Sequence, residues 1–211
     1  GREPEVFVLL FPGRGGRAEW ATRWGVGEAG KRPVEAWSIN YPGVGSSPGA
    51  ARLADVGPAA LAAYDFVKAR AGDRPVVISG PSFGSAPALY VAARRPVAGL
   101  VLSNPPPLRQ MILRRHGWWN LWAVAGPAAM AVPADLDSVA NAAVAKCPAA
   151  FVTSGADDVV PEAYQRLVVD AYAGPKRAVV AAGAGHHGGL SGPAAAERYE
   201  AVEWVWRQAG K

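Results

Sequence analysis

Three kinds of chemically capable residue fall in a fixed order along the chain: a serine between glycines, an acidic pair, then a histidine pair. Ser82 sits in Gly80-Pro81-Ser82-Phe83-Gly84, after the apolar run Val76-Val77-Ile78. The two glycines let a strand, a sharp turn and a following helix close around a strained serine whose hydroxyl is presented at the top of the turn. That helix aims its N-terminus at the hydroxyl, where negative charge is favoured. Asp157 and Asp158 follow the apolar run 149–154, and His186 and His187 lie in Ala182-Gly183-Ala184-Gly185-His186-His187-Gly188-Gly189. A neutral imidazole takes the serine proton, and a carboxylate orients the ring and stabilises the imidazolium. Asp157 and His186 are the first choices, with Asp158 and His187 as alternates. The bland counterparts are a turn in which one aspartate caps the next helix, and two solvated loop histidines.

To act together, these groups must stand at one edge of a sheet. Val6-Phe7-Val8-Leu9-Leu10-Phe11 is apolar on both faces, as a strand buried in a parallel sheet must be. Strands are also expected over 34–40, up to Ser79, and over 97–103, 149–154 and 177–182. Helices are expected over about 17–28 (with Trp20 and Trp24 on one face), 55–71, 85–93, 162–172 and 194–208. Pro87 suits the first turn of its helix. The helix over 55–71 has its periodicity through Leu61, Tyr64, Phe66 and Val67. The last helix is expected to bury Tyr199, Val202, Val205 and Trp206. This alternation predicts an α/β fold, a doubly wound, mostly parallel sheet of about six strands with helices on both faces. One domain over 1–211 is expected, interrupted by a cap-like insertion over 104–146 that opens on Pro105-Pro106-Pro107 and carries Trp118, Trp119 and Trp122.

An oxyanion site needs two backbone N–H donors where charge develops. Phe83, the residue after the serine, supplies one. Arg14, in the turn Pro12-Gly13-Arg14-Gly15, is the choice for the second, because Pro12 has no N–H and Gly13 lets the backbone come close. The same turn fits a dinucleotide fingerprint, Gly13-Arg14-Gly15-Gly16-Arg17-Ala18. However, the second strand ends at Asn40 with no acid to hold a ribose, so no cofactor is expected. No metal is expected either, since adjacent histidine side chains diverge and no third ligand has a metal spacing.

Composition narrows the class. Lys plus Arg is 22 against 17 Asp plus Glu, a net charge of +5. The bases are scattered beyond pairs such as Arg94-Arg95 and Arg114-Arg115, which implies a solvated basic surface and no nucleic-acid partner. The single cysteine, Cys147, excludes an intrachain disulfide and is expected to be buried and inert. No apolar run approaches the roughly 20 residues of a membrane-spanning helix. The first residues carry no secretory pattern, so the expected location is cytoplasmic, or membrane-associated or exported if an N-terminal segment has been removed.

These motifs resemble those of the α/β-hydrolase superfamily of serine hydrolases, in its small, nearly lidless branch. Phe11-Pro12-Gly13-Arg14-Gly15-Gly16 resembles the His-Gly-x-x-Gly oxyanion loop, with Pro12 in place of the usual histidine. Asn40-Tyr41-Pro42-Gly43-Val44-Gly45-Ser46-Ser47 resembles the Tyr/Arg-Gly-x-Gly-x-Ser loop, and Gly80-Pro81-Ser82-Phe83-Gly84 the nucleophile elbow. Gly155-Ala156-Asp157-Asp158-Val159-Val160-Pro161 is similar to the acid loop, and Gly183-Ala184-Gly185-His186 to the base loop. The order Ser82, Asp157, His186 is that of this superfamily and not of the two common protease folds. The resemblance implies acyl transfer through an acyl-serine, with a small-molecule acyl ester or thioester as substrate and no cofactor. The resemblance implies that the sequence starts at the third strand of the full eight-stranded sheet, as expected of a minimal hydrolase or a chain trimmed of an N-terminal anchor. The insertion's tryptophans are candidates for an acyl-binding wall. With Arg114-Arg115 they are also candidates for contact with a membrane surface. Rival readings are a serine peptidase of the same fold and a non-catalytic hydrolase-like binding protein.

Overall fold

Alternation along the strands decides which side chains meet which layer. In β1 (Val6–Leu10), Phe7 and Leu9 join one buried cluster while Val6, Val8 and Leu10 join another on the opposite face. The computed structural model describes residues 3–22, 32–116 and 124–210. β2 (Val34–Ser38), β3 (Val76–Pro81), β4 (Gly99–Ser103), β5 (Ala149–Ser154) and β6 (Lys176–Ala181) complete a six-stranded sheet in the order β2-β1-β3-β4-β5-β6. Every neighbouring pair is parallel. The strand order reverses direction at β1, with β2 on one side and β3 on the other. In open parallel sheets, the crevice at the C-terminal ends beside such a reversal is where ligands bind.

One face is covered by α1 (Leu53–Ala71), α2 (Ser85–Ala92) and α6 (Glu162–Ala171), whose Ala60, Tyr64, Val67, Leu89, Val168 and Val169 pack on Phe7, Ile78, Leu100 and Phe151. The other face is covered by α7 (Gly192–Ala209) through Ala201, Val202, Val205 and Trp206. Two aromatic residues depart from the periodicity reading. Phe66 is 60% exposed because it falls beside the Ala60–Tyr64–Val67–Ala71 stripe, and its ring meets Trp37 edge-on at 5.3 Å. Tyr199 is 62% exposed because the stripe of α7 that meets the sheet begins only at Ala201. A bidentate pair from Arg32 to Glu203, both contacts at 2.7 Å, ties the chain before β2 to α7.

Of the expected helix over 17–28, residues 18–22 are helical; Trp24 lies outside the described residues. Between β4 and β5 the chain forms α3 (Leu108–His116), α4 (Ala125–Met130) and α5 (Ser138–Ala142). Leu108 and Ile112 of this segment, with the buried Val132 and Leu136, pack on the main core, while Val124 and Met130 are exposed. Trp118, Trp119 and Trp122 lie outside the described residues. Cys147 is half-buried, its sulfur 3.4 Å from the Tyr172 hydroxyl, and burial pushes its thiol above the usual value. Among the described residues, no helix is long and apolar enough to cross a membrane.

Candidate active site

β3 ends at Pro81 and turns at once into a single 3-10 turn, Ser82–Gly84, before α2. Ser82 takes a φ of +49°, a conformation that costs an L-residue energy and marks a site the surrounding fold over-determines. A Cβ on Gly80 would come within 2.5 Å of the Gly84 carbonyl oxygen, and one on Gly84 would run into the Phe11 carbonyl at the end of β1. Both glycines are therefore required for β1, β3 and α2 to meet this closely. The Ser85 hydroxyl donates to the Ser82 carbonyl at 2.7 Å and pins the turn from the helix side.

The loop after β5 places Asp157, and the loop after β6 places His186. The two loops are joined backbone to backbone: Gly155 N–H donates to Ala181 O at 2.9 Å, and Ala156 N–H to Ala184 O at 3.0 Å. His186 Nδ1 lies 2.7 Å from Asp157 Oδ2, and His186 Nε2 lies 2.9 Å from Ser82 Oγ. A carboxylate only accepts, so Nδ1 carries the proton and Nε2 is left to accept from the serine hydroxyl. The Asp157 side chain is fully buried, and that of His186 nearly so. A buried carboxylate needs its oxygens satisfied. Oδ1 accepts from Val159 N–H at 2.9 Å and Val160 N–H at 2.7 Å, and Oδ2 also accepts from Gln165 Nε2 at 3.1 Å.

The alternates stand elsewhere. Asp158 is exposed, and α6 has Pro161 at its N-cap with no side-chain cap, so Asp158 does not cap it. The reason is local: the free amides of the turn, Val159 and Val160, are taken by Asp157. His187 is exposed and touches the site only through its ring, edge-on to His186 at 4.8 Å. The loop after β1 reaches the serine. A Cβ on Gly13 would lie 3.3 Å from Pro81 O and 3.7 Å from Ser82 Cβ, so the backbone of this loop borders the elbow. The Arg14 side chain points to solvent, and among the described residues its amide has no hydrogen-bond partner.

Sequence reading missed three residues around this constellation. Gln165, fully buried, bonds Ser154 N–H, Val160 O and Asp157 together. Its signal was a polar residue in the apolar stripe of α6, beside Val168 and Val169. Asn104, the residue after β4, is buried with a φ of +49° and donates to the His186 carbonyl at 3.3 Å. Tyr41 is buried in the loop after β2, and its hydroxyl donates to the Pro12 carbonyl at 3.0 Å. Asn104 had no sequence signal beyond its place after a strand, and Tyr41 was marked only as part of the loop motif over 40–47, with no role attached. Among the described residues, no group of three or more His, Cys, Asp or Glu is placed to hold a metal ion.

No protein-family model matches the chain. An uncharacterized protein in each of two strains of Mycobacterium tuberculosis is 30% identical over 151 residues, 71% of this chain. The chain spans about half the length (52%) of these curated relatives. Solved structures match almost throughout. Est1E from Butyrivibrio proteoclasticus, with ferulic acid bound, superposes with a TM-score of 0.75 at 17% identity, covering 99% of this chain and 92% of that one. Acetyl xylan esterase from Paenibacillus sp. R4 gives 0.77 at 16% identity, covering 98% and 76%. Acetyl xylan esterase 1 from Thermoanaerobacterium sp. JW/SL YS485 gives 0.72 at 13% identity, covering 98% and 76%. The chain has the α/β-hydrolase fold.

Proposed function

We propose that this chain is a serine hydrolase that cleaves carboxylic esters or thioesters through an acyl-Ser82 intermediate. The observation that carries the reading is the relay Ser82 Oγ–His186 Nε2, 2.9 Å, and His186 Nδ1–Asp157 Oδ2, 2.7 Å, at a serine held at positive φ. Ser82 Oγ attacks the substrate carbonyl carbon as its proton passes to Nε2. Asp157 stabilises the imidazolium and remains ionised. The Phe83 and Arg14 amides receive the tetrahedral oxyanion, the largest single electrostatic contribution in such reactions. Collapse expels the alkoxide or thiolate, which leaves with the His186 proton. Water then repeats the sequence on acyl-Ser82, with His186 as base, releasing the carboxylic acid and free enzyme.

The esterase names among the structural neighbours favour ester over amide substrates, an argument from fold analogy. Trp118, Trp119 and Trp122 are proposed as an acyl-contacting wall on the cap-like segment 104–146, with small or medium acyl groups as substrates. The test is intact-mass labelling by a fluorophosphonate alongside hydrolysis of short-chain nitrophenyl esters, each repeated with Ser82→Ala. Labelling and turnover that both vanish in the variant are expected. A wild-type chain that neither labels nor hydrolyses sinks the reading in favour of a non-catalytic binding protein, and faster turnover of acyl amides than of esters would move it to the peptidases.

A further inference from the structure

The loop after β1 borders the serine but is built from Pro12, Gly13, Arg14, Gly15 and Gly16, a composition with little stiffness of its own. Gly16 N–H donates to Gly13 O at 2.9 Å, which fixes the peptide plane carrying the Arg14 amide relative to the turn. The turn as a whole must still be fixed relative to Ser82. Among the described residues, Tyr41 is the one side chain that hydrogen-bonds to residues 12–16, through its hydroxyl and Pro12 O at 3.0 Å. A trans peptide directs its C=O and N–H in opposite directions, so holding the Pro12 carbonyl sets the Pro12–Gly13 plane on which Arg14 follows. The Tyr41 ring also meets the Phe83 ring edge-on, with centroids 5.7 Å apart and planes at 90°. One buried side chain thus touches both segments whose amides would face a developing oxyanion.

We propose that Tyr41 is a positioning residue that holds the loop after β1 against the elbow and so sets the distance between the Phe83 and Arg14 amides. The proposal rests on the serine-hydrolase reading and names a determinant of its transition-state stabilisation. Tyr41 never touches the substrate; it acts through the Pro12 carbonyl and the Phe83 ring. Burial pushes its phenol far above the usual value, so the hydroxyl stays a neutral donor across the working pH range.

Tyr41→Phe removes the hydroxyl and keeps the ring. The expected result is a fall in kcat of about ten- to a hundredfold, below the loss for deleting an oxyanion donor outright. KM should stay within about twofold, because ground-state binding does not use the oxyanion geometry. A trifluoromethyl ketone that forms a tetrahedral adduct with Ser82 should lose affinity by the same factor as kcat/KM. The pH profile should keep its shape, since the His186–Asp157 pair is untouched. Expressing kcat per serine titrated with fluorophosphonate removes any contribution from misfolded chain. Phe83→Leu gives a second route: it removes the ring contact, and its effect combined with Tyr41→Phe should be less than multiplicative. An active wild type whose Tyr41→Phe variant keeps kcat within twofold, or loses KM instead of kcat, overturns the role of Tyr41 alone. A wild type with no turnover and no labelling overturns the hydrolase reading and this proposal with it.

Discussion

At Ser82 the proposed nucleophile and a strained backbone coincide, and two substitutions separate the terms. Its φ of +49° costs an L-residue about 1–2 kcal/mol, which glycine does not incur. Glycine adds freedom to the unfolded chain, worth about 0.5–1 kcal/mol in the other direction. Ser82→Gly and Ser82→Ala both lose the hydroxyl and its bond to His186 Nε2, so that loss cancels between them. The difference left is strain relief less glycine entropy, which puts Ser82→Gly above Ser82→Ala by about 0–1.5 kcal/mol, centred at about 0.75 kcal/mol. For a chain of this size the centre of that range is a gap of about 1.5–3 °C in Tm. Urea unfolding of both variants at pH 7, with equal m values, reads the free energy directly. Both should lose more than roughly 10³-fold in kcat. An alanine variant more stable than the glycine variant refutes the claim that the elbow stores strain.

Three further outcomes are expected. Asp157→Asn should cut kcat by roughly 10³–10⁴-fold, because an amide in place of Oδ2 removes the acceptor that fixes the imidazole tautomer. Asp158→Asn, at an exposed position, should leave kcat within about twofold in the same nitrophenyl ester assay, near the noise of surface substitutions. Pairing with Arg32 holds the Glu203 carboxyl below its ordinary value of 4.5. A depressed carboxyl pKa means stability that is complete above that value and is lost as pH falls through the folded-state pKa. Glu203→Gln should therefore lower stability by about 1 kcal/mol at pH 7, and thermal melts should show the gap to wild type closing as pH falls below the ordinary carboxyl value of 4.5. A gap that does not narrow as the carboxyl is protonated would mean that packing, and not charge, is what the substitution removes.

The layered fold was legible because β1, β3, β4 and β5 are apolar on both faces, a pattern only a covered parallel sheet tolerates. The chain positions of Ser82, Asp157 and His186 were legible because each follows an apolar run and a glycine, where a loop has to begin. Less legible was everything that holds those groups still. Asn104 and Tyr41 act through single hydrogen bonds across 82 and 29 residues of sequence, and Gln165 reaches Asp157 across 8 while bonding two backbone groups besides; no local spacing encodes such partners. Phe66 and Tyr199 show the converse: helical spacing marks an apolar residue, but burial depends on where the partner layer ends. Asp158 shows a third limit, since two adjacent aspartates are equivalent until the turn decides which one takes the Val159 and Val160 amides.

The contact between Ser82 and His186 spans 104 residues, with β4, β5 and β6 laid down between them. A nascent chain emerging at roughly 5–20 residues per second presents Ser82 well before His186 exists. Until β6 pairs with β5, the hydroxyl is an ordinary alcohol, with no imidazole to take its proton. On the proposed serine-hydrolase reading, acquisition of fluorophosphonate reactivity during synthesis or refolding would be a clock for the final long-range strand pairing, and a chain interrupted before residue 186 should be chemically silent however well its first strands have folded.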